Sequence, residues 1–274
     1  MNKLAVILPI YKNDKVPYVR LSLDSILHQT YKGENKLIIG VDGPVGNDLA
    51  DCLKEYEQKT DVFIQWFPEN RGLAIVLNAL LDICFKEGYE YIARMDADDI
   101  STPDRFEKQM AYLQIHPEID VVGAWIDEFE GEVSNVLSMR KVPEQHENIL
   151  RFAKGRCPVN HPVVMFRKSA VLKAGGYKHF PLFEDYYLWV RMLMNGARFY
   201  NIQESLLFFR FSPDMFRRRG GWRYAVTEVR LQTLFYKMGF IGFFSLLKNV
   251  CIRLVTRLLP NGLRSLLYKR LIRG

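Results

Sequence analysis

Tyr89–Asp104 reads YEYIARMDADDISTPD, and its two halves ask for different structure. The first, Tyr89–Met95, has the aromatic and apolar character of a strand entering a core. The second starts a helix, with Thr102 as N-cap and Pro103 at the first helical position, where a missing N–H is tolerated. Between them stands Asp96-Ala97-Asp98-Asp99. Extended backbone turns residues two apart to one side, so Asp96 and Asp98 point together. Two carboxylates aimed at one point repel unless a cation lies between them. Oxygen-only ligands suit Mg²⁺ or Mn²⁺, and those ions suit a diphosphate. A competing reading stays open at this level: Asp is also a common turn and capping residue.

Upstream of this stretch the chain alternates strands and helices. Leu4–Ile10 is an apolar run that reads as a buried strand, with Pro9 marking where pairing stops. Val16–His28 has apolar residues at helical spacing (Val19, Leu23, Ile26, Leu27). Lys36–Val41 is a second strand, closed by the turn signal Asp42-Gly43-Pro44. Asp48–Lys59 reads as helix, Val62–Trp66 as strand, and Asn70-Arg71-Gly72 opens the helix Leu73–Phe85. Strands alternating with helices predict a parallel sheet with helices on both faces, and ligands that bind outside the carboxyl ends of its strands. Tyr11, Asp42, Arg71 and the Asp96/Asp98 pair all fall at those ends.

The second half is less regular. A helix over Phe106–Ile115 stops at His116-Pro117, Val121–Trp125 reads as strand, and Gly155–Pro162 (GRCPVNHP) as loop before a short strand at Val163–Phe166. Phe183–Leu193 is a helix headed by Glu184-Asp185, a pair that can simply cap free amides. There is no Walker loop, no Gly-x-Gly-x-x-Gly and no His-Glu-x-x-His.

About half the 274 residues are apolar (49%), as in a globular protein. The four cysteines, Cys52, Cys84, Cys157 and Cys251, form no Cys-x-x-Cys pair, which argues against a zinc site or disulfide framework and for a reducing compartment. The seven-residue apolar run near the start is too short for a signal peptide, so the expected location is the cytoplasm. The net charge of +7 hides an asymmetry: residues 210–274 hold fourteen Lys/Arg against two acids, a net +12, and residues 1–209 carry −5. A basic tail on a mildly acidic body predicts a polyanionic surface as partner.

With these residues in place, residues 3–210 resemble the family-2 glycosyltransferases, inverting nucleotide-sugar enzymes of the GT-A fold. Val6–Lys12, with Pro9 and Tyr11, is similar to the family's opening strand and Pro-x-Tyr-Asn turn, Lys12 replacing the usual Asn. Asp42-Gly43 resembles the acidic site that reads the nucleobase, and Asn70-Arg71-Gly72 with Asn78-Ala79 the segment near base and diphosphate. Asp96-Ala97-Asp98-Asp99 matches the Asp-x-Asp metal motif in its longer form. Glu184-Asp185, followed by Leu188-Trp189 and Arg191, resembles the acidic pair whose Asp is the base. The Asn160-His161-Pro162 loop and Gly175-Gly176-Tyr177 give the look of bacterial enzymes that assemble O-antigen, capsule or exopolysaccharide repeat units.

The resemblance implies an α/β, Rossmann-like GT-A domain at 1–212, its mostly parallel sheet flanked by helices. Its donor half is about 1–104 and its acceptor half about 105–212. It implies donor binding by Pro9, Tyr11, Asp42, Arg71 and Asp96. Mn²⁺ or Mg²⁺ would lie on Asp98 and Asp96, with Asp96 on metal, ribose or both. Asp185 would be the base, with Glu184, Asn160 and His161 on the acceptor side. The implied donor is a UDP-sugar such as UDP-Glc or UDP-Gal, and the implied acceptor an undecaprenyl-diphosphate-linked saccharide. Two alternatives from other classes are a nucleotidyltransferase acting on sugar phosphates and a non-enzymatic membrane adaptor.

Residues 213–274 read as a basic, amphipathic, helical region. From Phe240 to Leu259 the polar residues Ser245, Lys248/Asn249, Arg253 and Thr256/Arg257 recur every three or four positions. They form one stripe on a helix otherwise covered by Phe, Leu, Ile and Val. Such a helix lies in a membrane interface and does not span it. Asn261-Gly262 breaks it before Leu263–Arg273, and Arg217-Arg218-Arg219 adds a cluster. The expected partner is an anionic membrane on the inner face of the plasma membrane, and no nucleic acid.

Overall fold

The computed structural model describes residues 3–212 and 221–258. Strands β1 (Leu4–Ile10), β2 (Asn35–Val41), β3 (Val62–Trp66) and β4 (Tyr91–Arg94) run parallel in the spatial order β3-β2-β1-β4. Helices α1 (Val16–Leu27), α2 (Asn47–Glu57) and α3 (Leu73–Lys86) connect them. The unbroken apolar run of β1 has its reason in burial on both faces. Ala5 and Ile7 join one core with Val76, Leu77 and Leu80 of α3. Leu4, Val6, Leu8 and Ile10 join the other with Val19 and Leu23 of α1 and Leu49 and Leu53 of α2. At Gly40 a Cβ would stand 2.6 Å from Val76 Cγ1, so α3 lies directly on β2 there.

Two local expectations change. Pro9 does not end β1: pairing with β2 continues to Ile10, while β4 leaves the ladder at Ile7 opposite Arg94. Ile7 presents its carbonyl to Met95 on the β4 side. Pro9, two residues on, therefore turns its missing N–H toward a neighbour that has already left. Thr102 is not an N-cap either. Its backbone N–H is taken by Leu206 O at 3.1 Å, which prolongs a short strand β5 (Ile100–Ser101) and delays α4 to Arg105–Ile115.

The second half adds β6 (Val121–Phe129), β7 (Val136–Arg140), β8 (Met165–Arg167) and β9 (Phe199–Arg210), with helices α5 (His146–Ala153), α6 (Lys168–Lys173) and α7 (Glu184–Met194). These strands continue the sheet as β4-β8-β6-β9-β5, with β7 on β6. The sheet is therefore mixed, because β8 runs antiparallel to both β4 and β6. The flanking helices and the GT-A-like layering stand as expected. One sheet runs through both the first and the second half of residues 4–210.

After the gap in description, α8 (Trp222–Lys237) and α9 (Phe243–Leu258) dock on the body. Tyr224 and Phe235 of α8 meet Phe183 and Tyr186 edge-on, with centroids 5.2 and 5.0 Å apart. On α9 two residues of the polar stripe, Asn249 and Arg253, face inward, while Lys248 is exposed. Asn249 Nδ2 donates to Lys154 O and Gln232 Oε1, both at 2.8 Å. Arg253 pairs with Glu228 at 2.9 Å and donates to Gly155 O. The partly buried carbonyls of Lys154 and Gly155 and the buried Glu228 find their partners in Asn249 and Arg253 of this stripe. The outward face is mostly apolar, with Phe244 84%, Val255 62%, Phe243 58% and Leu247 52% exposed. Among the described residues no helix is long and apolar enough to cross a membrane. Arg217-Arg218-Arg219, Asn261-Gly262 and Leu263–Arg273 lie outside the described residues.

Candidate active site

The carboxyl ends of β1, β2 and β4 surround a cleft of about 550 Å³, lined by Pro9, Tyr11, Asp14, Asp42, Asp96 and Asp98 among others. A second cleft, of about 400 Å³, holds Asn160, His161, Glu184 and Asp185. The two share Leu73, Asp96, Leu182, Phe209 and Tyr224 as walls, so they form one continuous groove. Leu182 has φ 74°, the left-handed region a leucine enters only when its surroundings force it. It lines both clefts, two residues before Glu184, where α7 starts.

Asp42 is the latch of the first cleft. Its Oδ1 accepts from Arg71 N at 2.6 Å, and its Oδ2 from Gly72 N at 3.0 Å and Asn70 Nδ2 at 2.9 Å. Gly43, at φ +86°, makes room for this approach: a Cβ there would sit 2.7 Å from Asn70 N. Tyr11 is 37% exposed, leaving a ring face for stacking. Its backbone N–H donates to Asp14 Oδ2 at 2.8 Å.

Asp14 lines this cleft together with Asp96 and Asp98, although among the described residues no three His, Cys, Asp or Glu side chains converge closely enough to hold a metal ion by themselves. Burial pushes the Asp14 carboxyl up to about 7, and the charges of Asp98 and Asp96 push the same way. Asp98 opens onto the cleft but is closely walled by protein. Its carboxyl is raised by desolvation and by Asp96, with Arg94 and Arg210 opposing. Crowded, desolvated oxygen donors of this kind fit a Mg²⁺ or Mn²⁺ ion, which binds through one or two carboxylates and completes its shell with substrate phosphates. Asp99 does not join them. It is fully buried, and its Oδ1 accepts from Arg210 N at 2.9 Å.

Sequence reasoning missed Asp14, Arg94, Arg105 and Arg210. Arg94 is buried and ion-paired with Asp96. Arg210 donates from Nε to Asp98 O at 3.0 Å, and its guanidinium lies 3.9 Å from the Tyr18 ring centroid. Arg105, also fully buried, donates to Arg94 O at 2.8 Å and to Gln109 Oε1 at 3.1 Å. Gln109 in turn binds Val122 O and Val163 O. This pair at i and i+4 on α4 ties β4, β6 and the turn before β8 together beneath the acidic turn. An arginine and a glutamine at that spacing, read as a buried pair, would have been the signal. Arg71, by contrast, lines neither cleft: its guanidinium lies 5.9 Å from the Phe67 centroid and 3.9 Å from Glu69.

In the second cleft, Glu184 and Asp185 occupy the first turn of α7. Burial raises the Glu184 carboxyl, and neighbouring Asp185 adds to the rise. Cys157 Sγ lies 3.8 Å from Asp185 Oδ2. His161 is hemmed in by Trp189 and bonded through Nε2 to the Tyr177 hydroxyl at 2.9 Å. Burial, with the nearby Arg94 charge, holds its imidazole well below 6.5, so it is neutral. Asn160 is buried and donates to Ala124 O at 2.9 Å, fixing the loop that carries His161. A carboxylate at one end of a groove and a crowded acidic cluster at the other can move a proton from a hydroxyl while a diphosphate departs.

Residues 5–175 match the family described as Glycosyl transferase family 2, and residues 91–269 match Glycosyl transferase family group 2. Among similar proteins, an Escherichia coli UDP-Gal:alpha-D-GlcNAc-diphosphoundecaprenol beta-1,3-galactosyltransferase is 33% identical over 99% of this chain and 97% of its own. An amylovoran biosynthesis glycosyltransferase of Erwinia amylovora is 34% identical over 97% of this chain and 98% of its own. Among solved structures, residues 1–349 of S. aureus TarS in complex with UDP-GlcNAc superpose with a TM-score of 0.65 at 15% identity. That match covers 85% of this chain and 66% of that one, and it bears on the fold alone.

Proposed function

The chain belongs to glycosyltransferase family 2 and is a glycosyltransferase. From that premise we propose that it is a metal-dependent, inverting hexosyltransferase. It would move a sugar from a UDP-sugar, such as UDP-Glc or UDP-Gal, to an undecaprenyl-diphosphate-linked saccharide in surface polysaccharide assembly. The observation that carries this reading is the shared wall at Asp96 and Leu182, which joins the Asp14/Asp96/Asp98 cleft to the Asp185 cleft.

Asp98 and Asp96 would hold the Mn²⁺ or Mg²⁺. That ion, when bound, supplies positive charge to a departing diphosphate. Tyr11 offers its ring to the base, and Pro9 and Asp42 shape the floor beneath the nucleoside. Asp42 already uses both oxygens to order the Asn70–Gly72 loop, so it acts first by holding that loop. Arg210 and Arg94 take the electrostatic role expected of Arg71, since Arg71 turns away. Asp185 takes the proton from the acceptor hydroxyl as general base, with Glu184 beside it. One base on the face opposite the leaving group gives inversion, so an α-linked donor yields a β product.

The membrane partner is proposed on different grounds than the sequence offered. The outward apolar face of α9 carries Phe243, Phe244, Leu247 and Val255, with Lys248 among them, and the sequence beyond it is rich in Lys and Arg. An apolar face rimmed by cations suits the headgroup boundary of an anionic leaflet, on the cytoplasmic side of the plasma membrane.

The test is a screen of UDP-sugars with a lipid-diphosphate saccharide acceptor, run with Mn²⁺ or Mg²⁺ and with chelator. Metal-dependent release of UDP coupled to acceptor glycosylation is the expected result. Consumption of nucleoside triphosphate with a sugar 1-phosphate would instead make the protein a nucleotidyltransferase. A protein that binds no nucleoside diphosphate with metal would be an adaptor.

A further inference from the structure

The Asp185 cleft is not acidic throughout. Besides Glu184 and Asp185 its lining includes Arg140, Lys141 and Arg156, and none of these three lines the Asp98 cleft. Each cation is set against an aromatic ring. Arg140 lies 5.2 Å from the Phe209 centroid, Lys141 lies 5.0 Å from Trp125, and Arg156 lies 5.3 Å from Phe152. A ring face orders a cation and does not itself neutralise it. Arg140 is further anchored by the fully buried Glu128 at 2.6 Å.

The trio is physically linked to the base. Arg140 acts electrostatically on Cys157, and the Cys157 thiol stands 3.8 Å from Asp185. Arg140 O accepts from Asn160 at 3.4 Å, and Gly155, next to Arg156, presents its carbonyl to Arg253 of α9. The same cleft is walled by Tyr224 and Glu228 of α8 and by Arg253 of α9, the helix whose other face is apolar and exposed. From base to surface the groove thus offers a carboxylate, a cavity of about 400 Å³, a basic wall and an apolar helix. That volume suits a sugar with an attached phosphate group.

We propose that Arg140, Lys141 and Arg156 bind the diphosphate of the lipid-linked acceptor. They would place its sugar hydroxyl at Asp185 and lead its lipid toward α9. The inference rests on the glycosyltransferase reading of the groove and adds to it an anion site of its own, separate from that of the donor diphosphate. Two arginines and a lysine lining one cleft can engage several phosphate oxygens through charge-assisted bonds.

The probes are octyl diphosphate, octyl phosphate, octyl β-glucoside and UDP. Binding to the full chain is measured by titration calorimetry: the octyl ligands in chelator, UDP in Mn²⁺. The variants are Lys141→Ala/Arg156→Ala and Lys141→Arg/Arg156→Lys. Lys141 and Arg156 are exposed, so both double variants should fold. The wild-type protein should bind octyl diphosphate more tightly than octyl phosphate, and octyl glucoside least. The alanine pair should lose about tenfold or more in octyl diphosphate affinity, the worth of one or two charge-assisted contacts, and the charge-retaining pair should recover most of it. UDP affinity should stay within about twofold of wild type, by the same arithmetic. The site is overturned if octyl diphosphate binds no better than octyl glucoside, or if the alanine pair leaves its affinity unchanged. It is equally overturned if the alanine pair weakens UDP as much, because the cations would then serve the donor. Failure of UDP to bind with Mn²⁺ in the wild-type protein would instead count against the glycosyltransferase assignment of the groove.

Discussion

Arg94 Nη2 holds Asp96 Oδ1 in an ion pair that is buried on the arginine side (3% exposed) and open on the aspartate side (32%). Arg94 sits two residues before its partner, at the last position of β4, so the strand's own end supplies a fixed countercharge beneath the acidic turn. One edge of Asp96 is thereby occupied, and Asp98 is left to present its carboxylate to the cleft. Arg105, reaching from α4 to the carbonyl of Arg94, keeps this arrangement from shifting.

Asp98→Ala should abolish metal-dependent transfer, with a loss of about 10²-fold or more, the worth of several kcal/mol of charge stabilisation. The fold should survive, since the contact Arg210 makes here is with the backbone oxygen of Asp98. Chelator should silence the wild-type enzyme reversibly, with Mn²⁺ or Mg²⁺ restoring it. Full turnover in chelator would remove the metal from the mechanism.

Asp185→Asn preserves shape and first-turn position but cannot accept a proton. Loss of a positioned base costs about 10²–10⁴ in rate. UDP affinity, read separately by titration, should be near normal because Asp185 lies in the other cleft. A variant within about threefold of the wild-type rate, far short of that loss, would move the base to Glu184.

His161 makes stability depend on pH. Its folded-state pKa lies well below 6.5, so below that pH the unfolded chain takes up a proton that the folded chain refuses. The His161 contribution to stability should therefore fall as pH drops from 6.5 toward the folded value, by at most about 1.4 kcal/mol per pH unit, while the raised carboxyl of Asp14 contributes in the opposite sense. His161→Gln can still bond the Tyr177 hydroxyl and should flatten that part of the curve. Urea midpoints of the two proteins between pH 5 and pH 7 provide the check, and parallel curves would refute the assignment.

The two faces of α9 should respond differently to substitution. Arg253→Ala takes the cation from beside the buried Glu228 and should destabilise the protein by about 3–5 kcal/mol. Phe244→Glu with Leu247→Glu changes exposed positions and should leave the melting temperature nearly unaltered, while co-sedimentation with anionic vesicles is lost. Undiminished vesicle binding by that double variant would show that α9 does not meet the membrane.

The sequence by itself determined the β1–β4 half of the fold and the pairing of Asp96 with Asp98. Those features are local: apolar runs bounded by turn residues, and two aspartates two positions apart just past β4, where Ala97 and Asp98 form a turn and not the extended backbone that an alternation argument assumes. The later strands were less legible because their partners are distant in the chain. β9 pairs in parallel with β6 through register shifts at Ala124 and Trp125, and its centre carries Asn201, Gln203 and Glu204, which blur any period of two. The tail shows the limit most clearly. Its three-to-four spacing identified an amphipathic helix, but spacing cannot say which stripe turns inward. That was decided by the buried Glu228 and Gln232 and the carbonyls of Lys154 and Gly155, acceptors that only the folded body brings together and that Asn249 and Arg253 satisfy.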